Sequence, residues 1–410
     1  MSLTFPLPAT RDRPPRCVII VENLPVPFDR RVWQEANALK DAGWEVSVIC
    51  PKNEQHPQTF EEINGIAIYR HSLPVEARGK FGFLLEYASA LFHETRLLLR
   101  IALTRGFDVV QGCNPPDLIF LVAAPYKLFG KKFVFDHHDL CPELYAAKYG
   151  RQDLFHRLLL LAEKCTFKLA DRVISANDTY RDIAITRGGR APDSVTAVYS
   201  VPDRQKLRRV APDAALRADA DVILGYVGII ADQDGVDHLV RMMQHIVHDH
   251  GRRGVRAVVV GDGPALASVK ALAAALGVAG QVSFTGYLRG EELLAAISSF
   301  DIGIIPDPVN AYNDKISMNK VFEYSALAIP SVSYDLSETR RLLGEAGTFA
   351  DAATPAGLAA AALPLIDDAT LRRERGARAG RLAEEKFNWD SEARKYVAVY
   401  ESLASIRALA

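Results

Sequence analysis

The feature that most constrains this chain is a rhythm that runs, stops and starts again. Short β-branched runs alternate with longer helical patterns: CVIIV (17–21), EVSVI (45–49), IAIYR (66–70), DVVQ (108–111), FVFD (133–136), RVIS (172–175) and SVTAV (194–198). A stretch rich in proline, aspartate and arginine (202–221) interrupts it. The alternation then resumes with VILGYVG (222–228), RAVVVG (256–261), QVSFTG (281–286), DIGII (301–305), PSVSY (330–334) and GTFA (347–350). Short apolar strands separated by helices belong to parallel sheets covered on both faces. Two series predict an α/β protein with two doubly wound, Rossmann-like domains, 1–205 and 206–386, and a last helical segment, 387–410, packing back across the lobes through Phe387 and Trp389. The length of 410 residues suits two domains of about 100–200 residues each.

Charge and cysteine usage remove several function classes. Lys and Arg total 49 against 50 Asp and Glu, so no global field favours nucleic acid. The five cysteines fall within the first 165 residues without a CxxC pair, which suits a reducing compartment and argues against a zinc module. Arg11, Arg13 and Arg16 precede an apolar run too short for a signal-peptide core. Ala352–Ile366, the nearest approach to a spanning segment, is alanine-rich and broken by Pro355 and Pro364. The expected location is cytoplasmic, peripheral on the inner face of the membrane if a surface helix holds it there.

Open α/β sheets bind ligands beyond the carboxyl ends of their strands, so site residues are sought there. In the second half, Pro306–Arg340 is the most informative stretch. Ser317 as N-cap makes Lys320 the third residue of a helix whose free N–H groups suit an anion, and Glu323 follows on the same face. A diphosphate beside a ribose asks for such a pair, lysine for phosphate oxygens and carboxylate for the two hydroxyls. Spacing alone equally allows a solvated Lys/Glu pair. Asp232 and Asp234 form a DxD after a strand; Gly235 makes Asp234 a turn or cap residue, and no metal site is expected. Gly286 and Tyr287 end a strand where a base can pack.

In the first half, FDHHDLCPELY (135–145) places His138 and Asp139 at a strand end. A metal held by His137 and His138 fails because neighbours on a strand point to opposite sides. Asp29 caps a helix, leaving Arg30 and Arg31 for a phosphate or an acidic acceptor, or as an ordinary helix start. Asn23 and Asn114 also follow strands. Residues 78–105 carry five cations against two acids. Phe81, Leu84, Leu85, Ala88, Leu91, Phe92, Leu98, Leu99 and Ala102 form one stripe there, with Phe83, Tyr87, Leu97 and Ile101 beyond it. Such a helix suits an anionic membrane surface or a sheet equally.

The segments 225–240, 258–277, 284–288 and 306–340, in this order, resemble the nucleotide-sugar domain of retaining glycosyltransferases of family 4, which have the GT-B fold of two Rossmann-like domains facing a cleft. The resemblance implies a UDP- or GDP-sugar donor, a saccharide or lipid-linked saccharide acceptor, retention of configuration and no required metal or other cofactor. By that resemblance Glu323 in KVFEYSA holds the ribose, as does the second glutamate of the family's E-x7-E motif. Lys320 and the backbone amides around Gly228 and Gln233 meet the diphosphate, with Asp307, Asn319, Glu338, Gly286 and Tyr287 further donor-side candidates. His138 and Asp139 match the family's His-Asp beside the sugar being moved. The chain departs from the pattern at Lys315, where the first glutamate belongs, and at Ile229 and Asp234, where an arginine and a lysine are usual. A nucleotide-sugar epimerase and a non-catalytic partner of the same fold are the rival expectations.

Overall fold

In this computed structural model the described residues are 13–72, 79–204 and 206–406, without the side chains of 79–87 and 404–406. The chain divides into two compact units, Met1–Ser200 with Asp390–Ala410, and Val201–Trp389. The first division thus falls at 200/201 rather than 205/206, and most of the expected terminal segment belongs to the first unit.

The first unit contains β1 (Arg16–Ile20), α1 (Arg30–Asp41), β2 (Glu45–Pro51), β3 (Phe60–Ile63), β4 (Ile66–His71), α2 (Gly79–Thr104), β5 (Val109–Cys113), α3 (Phe120–Lys127), β6 (Lys132–His137), α4 (Cys141–Tyr149), α5 (Leu154–Leu169), β7 (Arg172–Ser175), α6 (Asp178–Thr186) and β8 (Val195–Ala197). Its strands run in the order β3-β4-β2-β1-β5-β6-β7-β8, all parallel except β3. β3 was not foreseen: its FEEI sequence lacks the apolar, β-branched run that marks a buried strand, and its burial alternates as befits an edge. Asp29 caps α1 as expected, accepting from Val32 N–H at 3.0 Å. Leu97, Leu98 and Ile101 of α2 join Val122, Ala123, Phe167 and sheet residues in one cluster.

That cluster corrects the reading of α2. Ala90, Leu97, Leu98 and Ile101 face the sheet, whereas Phe92 and Leu99, which the sequence placed on one stripe with Leu98, are exposed. Continuous apolar sequence carries little phase information, so the stripe was rotated by about one residue. Arg78 lies outside the described residues, as do the side chains of Phe81, Phe83, Leu84, Leu85 and Tyr87.

The second unit contains α7 (Ala214–Arg217), β9 (Val222–Val227), α8 (Val236–Gln244), β10 (Val255–Val260), α9 (Leu266–Ala275), β11 (Val282–Gly286), α10 (Gly290–Ser298), β12 (Ile302–Ile305), α11 (Asn319–Ala326), β13 (Ser331–Tyr334), α12 (Ser337–Leu343), β14 (Thr348–Ala350), α13 (Pro355–Asp367) and α14 (Ala369–Glu385). Its six parallel strands run β11-β10-β9-β12-β13-β14. Phe387 closes this unit by packing edge-on against Phe322, centroids 4.9 Å apart. The last helix, α15 (Trp389–Ile406), buries Tyr396, Val397, Tyr400 and Leu403.

Among its parallel strands each sheet reverses its order once, between β1 and β5 in the first unit and between β9 and β12 in the second. Crevices for ligands open at such switch points, outside the carboxyl ends of the flanking strands.

Candidate active site

At the switch point of the second unit, the geometry follows from two paired glycines. Gly225 of β9 and Gly303 of β12 stand side by side. A Cβ on Gly303 would fall 2.3 Å from the Tyr324 ring, and one on Gly225 2.0 Å from Phe300. The bare patch lets Tyr324 of α11 lie on the sheet, where its hydroxyl accepts from Val227 N–H at 3.3 Å and donates to Gly225 O at 3.2 Å. One turn earlier on the same helix is Lys320, carried to the ends of β9 and β12.

Lys320 is buried. Its Nζ lies 3.2 and 3.1 Å from the two oxygens of Asp307, at the exit of β12, and 4.9 Å from the centre of the Tyr226 ring. Burial works against its charge, but Asp307, Tyr324 and Asp234 outweigh this and hold its pKa above the usual lysine value. Burial raises Asp307, partly offset by Lys320. Asp234, pushed by burial up to about 6 against the pull of Lys320, completes a cluster of one cation and two acids. Its carboxylate accepts from Ala231 N–H at 3.1 Å, the cap geometry that Gly235 suggested.

Three donor-side expectations are corrected here. Ser317 is not the N-cap: Met318 holds that position, Lys320 is the second helical residue, and the Ser317 hydroxyl donates to Glu338 at 2.7 Å. Glu338, buried, also takes Arg341 at 2.6 Å, so it fastens the 314–317 loop instead of facing a ligand. The Gly228 amide is not free for phosphate; it donates to Val260 O at 3.1 Å. What Gly228 supplies is backbone proximity, since a Cβ on Gly261 would meet Gly228 O at 1.9 Å. Asn319 and Gln233 are exposed and Glu323 half-buried around the same strand ends. Gly286 ends the outermost strand, β11, and its carbonyl accepts from Gly261 N–H at 3.0 Å, which sets it next to the Gly228–Gly261 contact; Tyr287 follows, exposed, with Arg289 5.0 Å from its ring.

In the first unit, β6 delivers Asp136 and His138 beside α1. Arg31 sits between two carboxylates, 2.8 Å from Asp136 and 3.0 Å from Glu35. Its remaining donor reaches Val198 O at 2.7 Å. This corrects the expectation that Arg31 meets a ligand: it is buried and spent on the protein. Arg31 Nε and Asp136 Oδ2 lie 3.0 and 2.6 Å from the same His138 nitrogen, Nε2. One nitrogen cannot accept and donate at once. The N–H at Arg31 Nε is directed at that nitrogen and Glu35 Oε1 takes no hydrogen bond from it, so the tautomer of the ring sets which of the two contacts Nε2 makes. Burial alone would raise Asp136, yet Arg31 and His138 hold it well below the ordinary carboxylate range. Glu35, desolvated and next to Asp136, is pushed well up.

Asn114 is also a positioning residue. Its side chain is buried, accepting from His138 N–H at 2.6 Å and Asp139 N–H at 3.2 Å while donating to Asp139 O at 2.7 Å. It therefore shapes the His138–Asp139 turn. His137 points the other way, buried among Phe135, Phe167 and Tyr180, with its pKa lowered to about 3 by burial. Asn23 is exposed after β1 and Arg30 half-buried at the start of α1. Among the described residues one group of three could share an ion, Cys113, Asp136 and His138; the Arg31 guanidinium already supplies the positive charge there. Sequence reasoning missed Gln111, Glu35, Tyr226 and Tyr324. Their signal was position only: an uncommon glutamine within a buried strand, and tyrosines flanking a lysine.

Residues 29–205 match Glycosyltransferase Family 4, and residues 221–368 match Glycosyl transferases group 1. The 2-deoxystreptamine glucosyltransferase of Streptomyces kanamyceticus is 24% identical over 48% of this chain and 53% of its own length, so the chain spans about half of that relative. Sucrose-phosphate synthase from Thermosynechococcus elongatus superposes with a TM-score of 0.77 at 17% identity, over 96% of this chain and 100% of the other. Anabaena HepE, in complex with UDP and glucose, gives 0.71 at 14%, over 94% and 99%. With both halves matched and both sheets shared with these structures, the chain belongs to the family 4 type of glycosyltransferases and has the GT-B fold.

Proposed function

We propose that the protein moves a sugar from a nucleoside diphosphate donor, UDP- or GDP-linked, to a saccharide or lipid-linked saccharide acceptor with retention of configuration, in the synthesis of a cell-surface polysaccharide or glycoconjugate. The observation that carries this reading is Lys320, a charged ammonium held at the β9/β12 switch point in the first turn of α11. In the proposed complex its charge and the free amides of that turn stabilise the negative charge growing on the leaving diphosphate, without a required metal. Glu323, three residues on, grips the ribose hydroxyls. His138 and Asp139 face the transferred sugar, the histidine fixed by Asp136. The C1–phosphate bond breaks as the acceptor oxygen bonds to C1 on the same face, and the acceptor proton passes to the departing phosphate oxygen. HepE, crystallised with UDP and UDP-glucose, supports a uridine donor among the candidates.

The test is a thermal-shift screen against UDP- and GDP-sugars followed by transfer assays, with the product anomer read by NMR. Lys320→Met and Glu323→Gln are expected to weaken donor binding at least about ten-fold, the loss of one charge-assisted contact. Unchanged transfer in both variants would sink the site. Turnover of donor without acceptor would favour the epimerase reading. No binding at millimolar donor would favour a non-catalytic partner.

A further inference from the structure

Sixteen large apolar side chains are exposed among the described residues, and nine of them lie on three adjoining elements of the first unit. α3 packs between α2 and α5, and all three bury their inner faces in the same cluster against the sheet. Outward, α2 shows Phe92, Leu99 and Leu103. α3 and the turn after it show Leu121, Leu128 and Phe129, the last two 87% and 75% exposed. α5 shows Leu154, Leu158 and Leu161, spaced by four and three residues along one stripe.

Among the described side chains, the exposed charges on α2 and α5 are of one sign. Arg96, Arg100, Arg157, Lys164 and Lys168 are exposed on the same helices, whereas the two carboxylates with described side chains, Glu94 and Glu163, are buried. A chain with net charge -1 has here set its cations apart from its acids and interleaved them with leucine and phenylalanine. Scattered exposed leucines need no explanation, but a contiguous apolar face does.

We infer that the outer face of α2, α3 and α5 docks on an anionic lipid bilayer, with Leu and Phe side chains entering the headgroup boundary and the cations meeting lipid phosphates. Helices that lie in the interface plane show this composition, apolar residues with Lys and Arg and no acid. A second copy of the chain suits the face poorly. Among the described side chains, a two-fold contact of these helices would set exposed cation against exposed cation with no exposed carboxylate on them to pair it. The surface is wider than the single helix that sequence alone suggested, because α5 shows three exposed leucines and three exposed cations where the described side chains of α2 show two of each. It stands independently of the proposed sugar transfer.

The experiment is co-sedimentation of the full chain with vesicles of phosphatidylglycerol and phosphatidylcholine, and with phosphatidylcholine alone, at 0.1 and about 0.5 M salt. Binding is expected to the anionic vesicles and to weaken at least about ten-fold at the higher salt or without phosphatidylglycerol. Leu128→Glu with Phe129→Glu, and separately Leu158→Glu with Leu161→Glu, should each reduce binding about ten-fold or more while leaving the melting temperature and any donor-induced thermal shift in place. Absence of binding at about 1 mM anionic lipid, a concentration at which even marginal anchors with association constants near 10⁴ M⁻¹ are captured, would overturn the inference. So would a dimer in solution that the same substitutions dissociate.

Discussion

Tyr396 donates a 2.7 Å hydrogen bond to Oε1 of Gln111, a residue 285 positions earlier in the chain. Tyr400 donates to the same oxygen, and the Gln111 amide donates onward to Glu35 at 2.8 Å and Asp136 at 3.0 Å. The terminal helix is thus wired to the carboxylate that orients His138. All these groups are buried, so none has water as an alternative partner.

Replacing Gln111 by leucine keeps the volume but leaves two hydroxyls and two carboxylates without this partner. At roughly 1–3 kcal/mol for each buried group left unsatisfied, a loss of at least about 3 kcal/mol is expected. Tyr396→Phe, which removes one hydroxyl and leaves Tyr400 on Gln111, should cost only about 1 kcal/mol. Thermal unfolding of the full chain reads the difference; similar melting temperatures for the two variants would show that the network is not cooperative.

Arg31 gives a prediction with a definite pH sign. Asp136 has a depressed folded pKa, so its contribution to stability is present above the unfolded carboxylate value, about 4, and fades as pH falls toward the folded value. Arg31→Met strands that carboxylate in the core and turns a lowered pKa into a raised one. The variant is therefore most damaged at pH 7, by about 3–5 kcal/mol, and approaches wild type as pH drops toward 4. Melting curves across pH 4–8 check it, and a gap independent of pH would contradict this account.

The sheets were legible in the sequence because a parallel strand buried on both faces is written as a nearly pure run of Val, Ile and Leu. Lys320 could be picked out because a lysine heading a helix after such a strand is conspicuous, and Asp29 because a cap lies beside the residues it serves. The partners of those residues were not legible. Asp307, thirteen positions before Lys320, gave no sign that it would take the ammonium, and nothing in the sequence near Arg31 says that Asp136, 105 positions away, consumes it. Amphipathic phase in α2 failed for a related reason: in FLLEYASALFHETRLLLR nearly every register is apolar, and only the neighbouring elements select the inner one.

Asp234 stands where the resembling family usually carries a lysine, and its pKa near 6 makes its charge adjustable. In the proposed complex it is, above that value, a carboxylate that competes with phosphate for Lys320; below it the competition is removed. Affinity for a nucleotide sugar, whose diphosphate diester does not itself titrate there, should rise as pH falls from 8 to 5, by about five-fold for one charge at effective dielectric values typical of such sites. Asp234→Asn should bind at pH 8 as the wild type does at pH 5, with a flatter profile. Calorimetric titration at four pH values measures both, and a wild-type affinity that falls on acidification would reject the role given to Asp234.

The last prediction concerns the bare patch beneath Tyr324. A methyl group on Gly303 would sit 2.3 Å from that ring, and β12 is fixed on both sides by β9 and β13, so the ring must yield rather than the strand. Because Tyr324 and Lys320 share one helix, displacing the ring lifts the ammonium from the strand ends. Gly303→Ala should therefore cost about 1–3 kcal/mol of stability, the usual range for overpacking, and weaken donor binding more than that destabilisation explains. Pairing it with Tyr324→Phe separates the two effects. The phenylalanine loses the hydroxyl contacts to Val227 and Gly225 while leaving the ring in place, so it should retain donor affinity where the alanine does not. Equal losses in both variants would mean that the hydroxyl, not the glycine patch, sets the height of α11.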